Sequence, residues 1–60
     1  MKKLEEKCRK IAYAVIDAIH GEESMKIAMN LITESGATVE INEESVAVKI
    51  ENASVAVWID

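Results

Sequence analysis

Val39-Glu40-Ile41-Asn42-Glu43-Glu44-Ser45-Val46-Ala47 is followed directly by Val48-Lys49-Ile50-Glu51-Asn52-Ala53-Ser54-Val55-Ala56. The two nonamers align residue by residue, and a third copy begins at Val57-Trp58-Ile59. Within each copy β-branched residues alternate with polar or small ones, which is the period of a half-buried strand. The polar breaks at 42–45 and 51–54 lie where chain reversals belong. A solenoid of nonapeptide turns is the competing reading. It lacks the Gly-Gly-x-Gly calcium signature, and two and a half copies are too few to stack. A two- or four-residue hairpin used twice explains the repeat more simply. An even loop keeps every Val and Ile on one face, with Ile41 opposite Val46 and Ile50 opposite Val55. On the other face that register puts Glu40, Ala47 and Trp58 in one row, and Thr38, Lys49 and Ala56 in the next. The expected strands are 37–42, 45–50 and 54–60.

Upstream, the period changes from 2 to 3.6. Over residues 2–20, Leu4, Cys8, Ile11, Ala12, Val15, Ile16, Ala18 and Ile19 fall within about 160° of a helical wheel. Arg9, Glu6, Asp17, Lys10 and Lys3 face the other way, with Tyr13 as a surface residue. Gly21 suits the left-handed position that ends a helix, and His20 in the last turn favours the dipole. A second helix is expected over 22–35, with Gly36 as its stop. Glu22 and Glu23 favour its start through the dipole, and Ser24 is an alternative cap. Its apolar residues Met25, Ile27, Ala28, Met29, Leu31 and Ile32 cover about 200°. That width predicts a helix more enclosed than the first, touching both it and the sheet.

The expected fold is therefore one α+β domain spanning 1–60. It has two layers, two helices followed by a three-stranded antiparallel meander (α-α-β-β-β). Two helices of ~10 Å diameter are wide enough to cover one face of three strands. The face bearing Ala47, Ala56 and Trp58 stays open.

Composition narrows the functions. A chain of 60 residues buries only ~60% of its unfolded surface, so its stability is marginal. Small domains compensate with disulfides, a metal or oligomerisation. Cys8 is the one cysteine and His20 the one histidine, so no internal disulfide and no metal site is expected. Net charge is −4, which lacks the basic footprint of a nucleic-acid binder. The N-terminal cations alternate with Glu5 and Glu6 as on a solvated helix. No apolar stretch is long enough for a membrane span, and no targeting segment is visible. The expected location is the cytoplasm. The sequon Asn52-Ala53-Ser54 reads as a turn.

Catalytic constellations are weak. Cys8 and His20 lie ~18 Å apart along one continuous helix, so they cannot form a nucleophile pair in one chain. The pairs Glu5/Glu6, Glu22/Glu23 and Glu43/Glu44 lie in polar segments, without the desolvated pocket a general acid needs. No phosphate-cradling loop exists, because both glycines are isolated. No catalytic residue, cofactor or metal is expected. Met25 and Met29 read as core.

The segment Glu22 to Ala28, the run Ser35 to Ile41 and the start Lys2-Lys3-Leu4-Glu5-Glu6-Lys7 resemble the helix-Gly-strand units of idealised, de novo designed small α/β proteins. The absence of proline and the agreement of pattern with propensity point the same way. Cys8, His20, Asn30 and turns without Asn-Gly or Asp-Gly depart from that style. Small size and the uncovered sheet face point to a structural protein with no ligand or reaction. Self-association, as a homodimer, is the expected function. Ala47, Lys49, Ala56 and Trp58 are the candidate interface, joined face to face or edge to edge. The alternative is a small acidic module that docks on another protein through the Trp58 face or an edge strand.

Overall fold

The computed structural model describes residues 2–59. It consists of helix α1 (Lys2–Ile19), helix α2 (Met25–Ser35) and strands β1 (Thr38–Ile41), β2 (Ser45–Ile50) and β3 (Ala53–Trp58). The strands form an open antiparallel sheet in the order β1-β2-β3. This is the expected α-α-β-β-β fold. Position 60, assigned to the third strand by its pattern, lies outside the described residues.

The helix boundaries follow from capping chemistry. α1 ends one residue earlier than the sequence suggests, and Gly21 follows with φ 81°. The amides of Glu22 and Glu23 both donate to the Asp17 carbonyl, at 2.8 and 3.3 Å. These residues therefore close α1 rather than open α2, which corrects the expected start at 22. Ser24 is the N-cap: its backbone is extended and its hydroxyl accepts from the Lys26 amide at 3.2 Å. An extended residue whose side chain satisfies an orphan amide is what starts a helix. Gly36 ends α2 in the left-handed conformation, φ 66°, and the Ala37 amide reaches the Ile32 carbonyl at 3.1 Å.

The core sits between α1 and the sheet. Cys8, Ile11, Ala12, Ala14, Val15 and Ile16 of α1 are buried, with Val46, Val48 and Ile50 of β2. α1 packs across β2 and β3, while α2 packs chiefly on α1. The order of enclosure is the reverse of the expected one. Ala28 is the only fully buried residue of α2, and Met25, Ile27 and Met29 are each about half exposed. The physical reason lies in Ala14, which widens the apolar arc of α1 to about 200°. Arc width then ranks the helices equally. The longer helix, with small residues for close approach, packs on both the sheet and the other helix. Ile19, placed on the buried stripe by its phase, is exposed at the end of α1.

The register of the first hairpin is as expected, with Ile41 opposite Val46. Its turn is closed by the Asn42 amide on the Ser45 carbonyl at 2.8 Å. The second hairpin is tighter than expected. Glu51 and Asn52 form a two-residue turn, so Ile50 faces Ala53 and Val48 faces Val55. The four-residue alternative, with Ile50 opposite Val55, is thereby excluded. A shift of two residues keeps the faces and changes the rows. Glu40, Ala47 and Ala56 share one row, Thr38, Lys49 and Ser54 the next, and Trp58 lies opposite Ser45.

Candidate functional site

Alternation along the strands puts the side chains of Thr38, Glu40, Ser45, Ala47, Lys49, Ser54, Ala56 and Trp58 on the outer face. α1 packs on the opposite one, where Val46, Val48 and Ile50 are buried. The four residues singled out as an interface all lie on this outer face. Ala47 and Ala56 are directly opposed. Lys49 is exposed, and Trp58 is 71% exposed, the most of any large hydrophobic residue among those described. Trp58 does not stand beside Ala47. The pairing of Ser45 with Trp58 and of Ser54 with Lys49 was missed, because the longer loop pairs Trp58 with Ala47 and Lys49 with Ala56. A cue existed in Asn52, a residue at home in tight two-residue turns.

The floor of this face is small and flat. Ala47, Ala56, Ser45 and Ser54 leave Trp58 as its one large hydrophobic side chain. Glu40 on β1 and Lys49 on β2 supply one charge of each sign.

The backbone of β3 carries a second feature. In a strand, the N–H and C=O of one residue point to the same side, and successive residues alternate. The Ser45 carbonyl accepts from Asn42, and the Glu44 carbonyl accepts from Ile59 at 2.8 Å. Odd residues of β3 therefore bond to β2, and Ser54, Ala56 and Trp58 turn their amides and carbonyls to the open edge. β3 has six residues and no charge among them. Native edges are usually blunted by charge, proline, a bulge or short length. β1 is short and carries Glu40; β3 has none of these protections.

The other candidates do not assemble. Cys8 is fully buried, its Sγ 3.9 Å from the Ala53 carbonyl, and His20 is exposed at the far end of α1. No group of three or more His, Cys, Asp or Glu among the described residues lies close enough to hold a metal ion. An open depression of about 420 Å³ runs along the first turns of α1, lined by Lys3, Leu4, Glu6, Lys7 and Lys10. It is bounded by one helix and gathers no converging polar groups. No helix among the described residues is long and apolar enough to cross a membrane.

Comparison with protein families, with characterised proteins and with solved structures finds no match for this chain.

Proposed function

We propose that this chain is a self-associating structural protein without catalytic activity, whose working form is a homodimer with Trp58 in or beside the interface. One observation carries the reading. A tryptophan 71% exposed stands on an uncovered sheet face among alanines and serines. Tryptophan is enriched at the energetic centres of interfaces. Its burial contributes a few kcal/mol by area, a large share of what a core of this size supplies. With one cysteine in the chain, very regular local structure and association are the stabilising routes left to a domain of this length, and the uncovered face favours association. A cytoplasmic location accompanies the proposal, since a lone buried thiol demands no oxidising compartment. So does an idealised, designed origin, supported by left-handed glycines after both helices and a serine cap before the second.

The test is a sedimentation series from micromolar to millimolar protein, on the wild type and on Trp58→Ala. Association that rises with concentration and weakens in the variant supports the proposal. A wild type that stays monomeric throughout overturns it. The second reading, an acidic module docking on a different protein, would then stand, favoured by the uncharged open edge of β3 that a partner's strand could extend.

A further inference from the structure

Building on the self-association proposed above, we infer that the two copies join edge to edge. Strand β3 pairs antiparallel with β3 of a second copy about a two-fold axis at Ala56, making one continuous six-stranded sheet.

The backbone selects the edge. Ser54, Ala56 and Trp58 present three consecutive outward donor-acceptor sets. An antiparallel copy centred on Ala56 faces Ser54 to the partner's Trp58, Ala56 to its counterpart, and Trp58 to the partner's Ser54. Each such pair exchanges two bonds, giving about six backbone hydrogen bonds across the seam. No other register uses all three residues of both copies.

Charge selects the partner. The β3 edge is uncharged from Ala53 to Trp58, so two such edges meet without repulsion although each chain carries −4. Two β1 edges would bring Glu40 against its counterpart, next to the Glu43-Glu44 turn. Pairing β1 with β3 would be heterologous and would leave an open edge at each step, whereas the β3 pairing closes.

The side chains fit the same geometry. On the outer face, Trp58 lands opposite the partner's Ser54 and diagonal to the partner's Ala56, a shelf of small residues wide enough for an indole. Lys49 lies opposite Ser54 within its own sheet. The row across the seam therefore reads Lys49, Ser54, then the partner's Trp58, with the outer two ~10 Å apart at the backbone. A lysine stem lying over the small serine brings its ammonium to the indole face, a cation–π contact. On the inner face, Val46, Val48 and Ile50 of β2 are buried, while Ala53, Val55 and Val57 of β3 are only half-buried. Both edges of the sheet are less enclosed than its centre, since Val39 of β1 is also half-buried and Ile41 is 56% exposed.

Area sets the strength. A strand of ~20 Å against a molecule 15 Å thick, plus most of Trp58, offers roughly 450 Å² per partner, below the ~800 Å² of a standard interface. The dimer is accordingly weak and concentration-dependent.

Amide hydrogen exchange by NMR, at two concentrations bracketing the sedimentation midpoint, tests the inference. Slowing of at least tenfold at Ser54, Ala56 and Trp58 in the concentrated sample is expected. Association without slowing at these three amides overturns edge pairing and leaves self-association standing. A monomer at every concentration overturns both. Ala56→Pro supplies a second arm. It removes an amide the monomer does not use, at an edge position where proline is tolerated. A folded monomer is expected, and a dimer retained at wild-type strength contradicts the pairing.

Discussion

The thiol of Cys8 lies 3.9 Å from the carbonyl oxygen of Ala53, forty-five residues along the chain. This contact ties α1 to the residue that follows the second turn and opens β3. The fold is closed by a helix near one end of the chain gripping a strand near the other. Cys8 is a small buried hydrophobe with a weak donor, and no solvent reaches it without opening the interface between α1 and β3.

Cys8 should therefore report global opening. Its labelling by a thiol reagent should be slow in the native protein and rapid in denaturant. Labelling of the folded form as fast as that of a free thiol would show α1 to be misplaced on the sheet.

Val48 tests the register of the middle strand. It is fully buried, flanked by Val39 and Val55, and lies in the face covered by α1, not the face of α2 that pattern width suggested. Val48→Asp leaves an uncompensated carboxylate there, which costs several kcal/mol. A core of this size supplies ~3–5 kcal/mol, so the variant should be unfolded by circular dichroism. Lys49→Asp, one residue on and outward, should melt cooperatively.

Gly36 and Glu51 share a left-handed backbone, φ 66° and 54°, with opposite consequences. A Cβ at Gly36 would meet nothing within 4 Å. Gly36→Ala should therefore cost about 1 kcal/mol from backbone strain alone. Glu51 already bears that strain at the first position of a two-residue turn. Glu51→Gly should stabilise by ~0.5–1 kcal/mol, raising Tm by several degrees. A thermal melt of each variant checks the signs, and a lower Tm for Glu51→Gly would contradict the turn geometry.

The element order, the strand faces and both helix stops were legible in the sequence, because each rests on a local rule. Alternation fixes the strand faces, and Gly21 and Gly36 fix the stops. Two features were not legible. The second hairpin's register turns on whether 51–54 or only Glu51-Asn52 reverses the chain. Both lengths keep Val and Ile on one face, so periodicity cannot separate them. The turn lacks the Asn-Gly or Asp-Gly that would have marked it. The ranking of the helices depends on which one the sheet selects, a tertiary choice that the apolar arcs of α1 and α2 leave undecided. The candidate face was legible as a face, with Ala47, Lys49, Ala56 and Trp58 correctly outward. Its rows were not, and with them the serine shelf opposite Trp58 across the proposed seam.

Trp58 fluorescence followed through a dilution series tests the central claim most directly. In the dilute monomer the indole is mostly in water, and its emission should sit near that of free tryptophan with full quenching by iodide. As concentration rises, emission should move to shorter wavelength and iodide access should fall, along the same curve as sedimentation. Emission that stays at the free-tryptophan position, fully quenched at every concentration at which the protein is folded, would contradict the account.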